Sequence, residues 1–178
     1  DPRTVDTTIR DIDWLSSGEL VVATDDGIRV FAPETDGPPV VRFEGIATSA
    51  VSACNDGSAL VGSAAGLHVL NAAGSEEHRP AEPGGLPAGD VVSLECRPDL
   101  WLVGHAVGAT TIDPESGHID HFVSRRWLLG DRVVAATSDN TGSRWFASPG
   151  GITRVDAPEL TLAQKAESRH ALLEQYFR

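Results

Sequence analysis

Methionine is absent from this chain, tyrosine occurs once and cysteine twice, and basic residues are scarce: Lys+Arg number 14 against 26 Asp+Glu, a net charge of −12. Each shortage excludes something. A phosphate backbone needs a basic footprint, so an acidic balance of this size argues against nucleic-acid binding. It suits cationic ligands, metal ions or plain solubility. No apolar run approaches the roughly 20 residues of a helical membrane span. The two cysteines form no Cys-x-x-Cys pair, which removes a zinc ribbon or a dithiol redox motif. The single tyrosine, Tyr176, lies near the C-terminus, so lyase chemistry that pairs tyrosine with histidine lacks its tyrosine on the repeats. A start at Asp1-Pro2 without methionine, and an end at Arg178 inside a helical pattern, read as a piece of a larger protein.

What the chain does have is a phrase that recurs four times: a small residue, then Thr, Ser or His, two variable positions, Gly, and usually an aliphatic residue. The copies are Ala23-Thr24-Asp25-Asp26-Gly27-Ile28, Gly62-Ser63-Ala64-Ala65-Gly66-Leu67, Gly104-His105-Ala106-Val107-Gly108-Ala109 and Ala147-Ser148-Pro149-Gly150-Gly151-Ile152. Their final glycines are 39, 42 and 43 residues apart. A period near forty built from short apolar stretches and Gly/Asp/Asn turns predicts propeller blades, not a helical solenoid. Eight residues before each small residue stand Leu15, Cys54, Cys96 and Asp139, followed three positions later by Gly18, Gly57, Asp99 and Gly142 as tight-turn residues.

The expected fold is therefore all-β: a β-propeller of about four blades of four-stranded antiparallel sheet, closed by itself or as part of a larger ring. The repeats run at about 8–45, 46–85, 86–125 and 126–156 within a blade region 1–156, and a C-terminal amphipathic helix occupies 157–178. Blade four lacks an outer strand in this reading; Arg3 to Thr7 would supply it and latch the ring, or something outside the chain completes it, because open sheet edges invite aggregation.

The stretch Asp139-Asn140-Thr141-Gly142-Ser143-Arg144-Trp145-Phe146-Ala147-Ser148-Pro149-Gly150-Gly151-Ile152 resembles the two-component regulator propeller repeat, Asp-x-x-Gly-x-Leu-Trp-Ile-Gly-Thr-x-x-Gly-Leu. Blade three adds Gly85-Leu86-Pro87-Ala88-Gly89-Asp90-Val91-Val92-Ser93-Leu94, similar to the family's entry segment. Blades one and two depart from the pattern, with Val22 and Val61 near the aromatic-rich strand and Leu15 or Cys54 in the Asp column. The resemblance implies extracytoplasmic sensor propellers, or propellers attached to enzymes that act on polysaccharides, and hence a periplasmic or secreted location.

Thr161-Leu162-Ala163-Gln164 has the form of a helix-capping box. Beyond it Leu162, Ala166, Leu173, Tyr176 and Phe177 fall on one helical face, a stripe that must bury itself on the propeller or on a partner chain. Cys54 and Cys96 share a column of adjacent blades. Equivalent positions around a propeller usually lie too far apart for a bridge, so buried free thiols are the first reading and a disulfide the second.

The candidate ligand-binding face is the one carrying the second hairpins and the blade-to-blade connections. It gathers His105, Asp25, Asp26, the connection from Glu76 to Asp90, and Arg125-Arg126-Trp127, where paired guanidiniums hold a carboxylate or sulfate beside a ring that stacks on a sugar. The bland readings stand beside these: a surface loop with one anchoring aromatic, and an Asp-Asp-Gly hairpin. His118 and Asp120 alternate onto one strand face and His121 onto the other, which argues against a metal site there. Oxygen-rich turns at Asn55-Asp56-Gly57 and Asp139-Asn140-Thr141-Gly142 lack full calcium-loop spacing, so no cofactor is expected, calcium being the weak exception. The functional expectation is a non-catalytic binding or assembly module, a fragment or subunit of an extracytoplasmic sensor or carbohydrate-associated protein. Its partners are another chain or missing domain and a carbohydrate or small anionic ligand. The alternative is a polysaccharide lyase or glycoside hydrolase propeller using loop-face His and Arg residues.

Overall fold

The computed structural model describes residues 6–80, 86, 90–123 and 126–156. It contains four successive antiparallel sheets. The first comprises β1 (Ile9–Trp14), β2 (Leu20–Thr24), β3 (Gly27–Phe31) and β4 (Val40–Arg42); the second β5 (Thr48–Ala53), β6 (Ala59–Ser63), β7 (Gly66–Leu70) and β8 (Glu76–Pro80). The third comprises β9 (Val91–Cys96), β10 (Trp101–His105), β11 (Gly108–Ile112) and β12 (Ile119–Phe122); the fourth β13 (Ala135–Ser138), β14 (Arg144–Ser148) and β15 (Gly151–Val155). Each sheet is a meander whose strands pair in sequence order. The first strands of successive sheets pack side by side, β1 on β5, β5 on β9 and β9 on β13, as the innermost strands of propeller blades do. Among the described residues the fourth blade has three strands. Asp6 and Thr7 lie in a bend ahead of β1, and residues 1–5 and the helix expected over 157–178 lie outside the described residues.

The recurring phrase is a hairpin with a separate reason for each position. Its final glycines, Gly27, Gly66, Gly108 and Gly151, all have positive φ, between 97° and 133°, a region that L side chains avoid. The hydroxyl before them closes the turn: Thr24 Oγ1 donates to the Gly27 carbonyl at 2.8 Å and Ser148 Oγ to that of Gly151 at 3.2 Å. The small residue that opens the phrase is demanded by the next blade. A Cβ on Gly62 would collide with the Val91 side chain, and one on Gly104 with Ser93 and Val133.

Packing follows the same period. Alternate residues of each blade face the blade before and the blade after, and they meet in three separate cores. Val21, Ala23 and Ile28 pack on Val51, Ala59 and Val61; Leu60, Leu67 and Val69 on Val91, Val103 and Ile112; Leu102 and Ala109 on Val133 and Phe146. Leu86, 4% exposed, enters the second of these from the connection between blades two and three.

Inner-strand edges are paired by side chains instead of by another strand. Asp11 Oδ2 accepts the Val51 N–H at 3.0 Å and Asp13 Oδ2 the Ala53 N–H at 2.8 Å. In the next seam Ser52 Oγ accepts from Cys96 N–H at 3.1 Å, and in the third Glu95 Oε2 accepts from Ser138 N–H at 2.6 Å. Each blade thus satisfies exposed backbone donors of its successor.

Two expectations need correction. Cys54 and Cys96 are not free thiols: they form a disulfide, with Cα atoms 5.1 Å apart. The turn after β9 is one residue shorter than the turns of the other blades, so Cys96 pairs with Trp101 as Ala53 pairs with Ala59. That shift of one aims Cys96 back at blade two, where Cys54 faces it. The segment from Glu76, read as the start of a long connection, begins instead with β8, the outer strand of blade two. An outer strand needs only backbone pairing to β7, so its polar composition carries no strand signal.

Two stability outcomes follow. Replacing both cysteines with serine opens a loop with a sequence separation of 42 and costs roughly 4 kcal/mol on the chain-entropy relation. It should appear as a lower denaturant midpoint, and an unchanged midpoint would refute a contribution from the bridge. Gly104→Ala, forced against Ser93 and Val133, should cost about 1–3 kcal/mol, whereas Ala23, which already carries a Cβ in that column, tolerates one.

Candidate functional site

The hairpins β2–β3, β6–β7, β10–β11 and β14–β15 and the connections between blades share one end of the sheets, and hydrogen bonds from backbone N–H groups tie them together. Gly45 N–H donates to Asp26 Oδ1 at 3.1 Å, Ala106 N–H to the Asp90 carbonyl at 2.9 Å, and Val133 N–H to the His105 carbonyl at 3.0 Å. This is the face on which the expected site residues were placed.

Asp25 and Asp26 are both engaged in holding blade one. Asp25 Oδ1 accepts from Arg10 Nε at 2.7 Å, and hydrogen bonds from Arg10 and then Thr8 hold its carboxyl below the usual carboxylate range. Asp26 Oδ2 lies 3.3 Å from an Arg29 guanidinium nitrogen, while its other oxygen anchors the connection to blade two. The pair spans two jobs of fold closure, and its carboxylates point to different cationic neighbours.

His105 takes the hydroxyl column of the phrase but does not close the turn. It is fully buried, and Nε2 lies 2.9 Å from Thr110 Oγ1, which in turn lies 3.0 Å from His121 Nδ1. Nδ1 of His105 has no hydrogen-bond partner. Burial first, and the neighbouring charge on His121 second, push its pKa down to about 4. A neutral, enclosed imidazole of this kind serves the core between blades two and three, on the same strand face as Val103 and Ile112. His118 and Asp120 pair at 3.3 Å on the outer strand, and His121 turns the other way to Thr110.

Arg126 and Trp127 remain at the surface. The Arg126 guanidinium lies over the Trp127 ring at 5.6 Å, and that ring meets Phe122 edge-on at 5.9 Å with an interplanar angle of 89°. Trp127 is thereby oriented from below by the core while 44% of it stays exposed. Loops of the same end leave Val107, Val123 and Leu129 exposed as well. Val123 abuts Gly108 at the blade-three hairpin, and Leu129 abuts Gly151 at the blade-four hairpin. Arg125 lies outside the described residues, as do Leu162, Ala166, Leu173, Tyr176 and Phe177.

At the opposite end, two clefts open at the blade seams. One, of about 370 Å³, lies over the disulfide and is lined by Asp56, Arg97 and Trp101 among others; its Arg97 donates to Ser138 Oγ at 3.1 Å. Sequence reasoning missed Arg97, because only the pairing of blades three and four brings it to Ser138 and Glu95. The oxygen-rich turns at this end close on themselves: Asp56 Oδ1 accepts from Ser58 N–H at 2.9 Å. Asp139 accepts from Thr141 and, at 2.9 Å, from the Trp145 indole, and these bonds hold its carboxyl well below the usual range. Among the described residues no group of three or more His, Cys, Asp or Glu is arranged to hold a metal ion.

The buried histidine makes stability depend on acid. Its folded pKa lies below the unfolded value, so its contribution is present above pH 6.5 and is lost as pH falls towards about 4. The loss should reach roughly 3 kcal/mol, read by urea unfolding across that window, and His105→Asn should flatten it. An equal slope in the variant would refute the assignment.

No protein-family model matches this chain and no curated protein matches it. Solved structures do resemble it. The extracellular domain of a putative hybrid two-component system from B. thetaiotaomicron matches at 15% identity and a TM-score of 0.68, over 86% of this chain and 22% of that one. A streptogramin B lyase matches at 13% and 0.71, over 88% and 53%. The WD40 β-propeller domain of Doa1 matches at 16% and 0.66, over 86% and 53%. The chain thus spans from about a fifth to just over half of these proteins' lengths, and at such identities the likeness establishes the fold: these are four blades of a β-propeller.

Proposed function

We propose that this chain is a non-catalytic binding and assembly module whose loop face takes an anionic carbohydrate, within a larger extracytoplasmic sensor or carbohydrate-associated protein. The observation that carries this reading is the Arg126–Trp127 pair: an exposed ring held edge-on by Phe122 beneath a guanidinium, on loops that also expose Val107, Val123 and Leu129. A flat ring stacks on a sugar face, and the cation beside it pairs with a carboxylate. The acid–base groups that an enzyme reading invokes are otherwise occupied: His105 is enclosed and Asp25 is bound to Arg10. The Cys54–Cys96 bridge suits an oxidising compartment. No helix among the described residues is long and apolar enough to cross a membrane.

Titration calorimetry with oligosaccharides of uronic acids, set beside their neutral counterparts, tests the reading. Saturable binding of the uronates is expected without any gain of the ultraviolet absorbance that marks an unsaturated elimination product. Trp127→Ala should weaken binding about tenfold, the order expected from losing one stacked ring. Product formation would replace the binding module with a lyase, and absence of binding to either series would remove carbohydrate as the ligand.

A further inference from the structure

The four blades make three interblade seams and leave two half-seams open. In the column Ile28, Leu67, Ala109 and Ile152, the first three are fully buried against the following blade and Ile152 is 67% exposed. In the column that faces the preceding blade, Val51 is 4% exposed, whereas its counterpart Ile12 is 56% exposed and the neighbouring Trp14 58%. Around Ile12 and Trp14 an apolar depression of about 430 Å³ is lined by Ile9, Leu20, Val22 and Phe31. Blade one therefore presents the surface that blades two to four bury on their predecessors, and blade four presents the surface that blades one to three bury on their successors. Among the described residues, no packing comparable to that of β9 on β13 joins β13 back to β1.

We infer that the occupant of both open faces is a second copy of this chain, docked head to tail so that blade four of each copy packs on blade one of the other. This extends the assembly part of the proposed function and does not depend on the loop-face ligand. Three observations support a second copy. The two open faces are complementary halves of one interface that the chain already makes three times. The chain spans 53% of the WD40 propeller domain it resembles, so two copies supply about the length of such a ring. The repeat register also carries across the gap: Ile152 is the counterpart of Ile28, and Ile12 and Val22 are those of Val51 and Val61, which share one core with Ile28 within the chain. Head-to-tail contacts either close or run on as a filament. Here two identical junctions close an eight-bladed ring with a twofold axis.

The register makes a covalent test available. Asp139 is the blade-four counterpart of Cys54, since each opens its turn by the same backbone pattern, to Ser143 and Ser58 respectively. Trp14 is the blade-one counterpart of Cys96, paired with Leu20 as Cys96 is with Trp101. In the full 178-residue chain, Asp139→Cys mixed with Trp14→Cys should give a cross-linked heterodimer under mild oxidation, while neither variant alone does so. Because Asp139 also shapes its turn, sedimentation velocity on Ile12→Glu and Ile152→Glu provides a second readout. The unsubstituted chain should be a dimer and each variant alone a monomer. Their mixture should recover a dimer through its one unmodified junction. A monomeric parent chain would overturn the proposal, as would an Ile152→Glu variant that still dimerises, which marks like-to-like pairing through blade one. A ladder of higher species would overturn the closed two-copy ring.

Discussion

Every blade of this protein begins with an edge strand whose outward backbone groups have no strand to pair with, and the fold depends on how those groups are satisfied. The solution is a side chain reaching from the inner strand of the preceding blade to an N–H of the next: Asp11 to Val51, Asp13 to Ala53, Ser52 to Cys96, Glu95 to Ser138. These bonds do two things at once. They remove the cost of unpaired donors near the axis, and they set the register in which one blade meets the next, so that the apolar columns face each other. The same carboxylates brace their own strand: Asp11 Oδ1 accepts from Ile12 N–H and Asp13 Oδ1 from Trp14 N–H. Acidity in this chain, which from composition alone looks like a solubility device, is in part the means of joining blades.

The seams do not all use the same chemistry, and the differences compensate. Between blades one and two, two aspartates supply charge-assisted bonds, among the stronger hydrogen bonds available. Between blades three and four, Glu95 binds Ser138 and Arg97 reaches the same serine. Among the described residues the middle seam uses neutral hydroxyls, Ser52 accepting from Cys96 N–H and Ser49 donating to the Val91 carbonyl. That seam carries the disulfide. It occupies the place where Leu15 meets Ala53 in the first seam, so a covalent link stands where the polar clamp is weakest.

Most of the architecture was legible because its causes are local. A glycine with positive φ, a hydroxyl that closes a hairpin and a small residue that admits the next blade each leave a mark at a fixed place in the repeat, and four copies make the period plain. What was hidden depended on partners elsewhere in the chain. A turn one residue shorter after Cys96 changed which way that side chain faces, although the column count was the same, and turned two expected thiols into a bridge. β8 escaped because an outer strand with solvent beside it needs no apolar alternation. The repeat puts His105, Asp25 and Asp26 on hairpin turns, yet their states follow from neighbours that spacing does not reveal. His105 is enclosed by Thr110, and Trp127 is turned outward by Phe122.

A repeat array buries each unit only through its neighbours, so its terminal units are the weak ones unless they are capped or continued. Natural caps replace apolar residues on the outer face with polar ones. Among the described residues neither end of this array does so: Ile12 and Trp14 stand at one, Ile152 at the other. Trp145 comes nearest to a polar adaptation, with its indole held by Asp139 and its face covered by Arg154 at 5.4 Å, yet Ile152 beside it remains bare. Exposed apolar area on this pattern is costly in water, and covering it removes that cost. The chemistry of the ends is that of an interface, and the interior seams already show in atomic detail what such an interface looks like. The proposed assembly accordingly rests on the periodicity itself, whereas the proposed ligand site rests on loop residues around Trp127 that lie outside the repeating phrase.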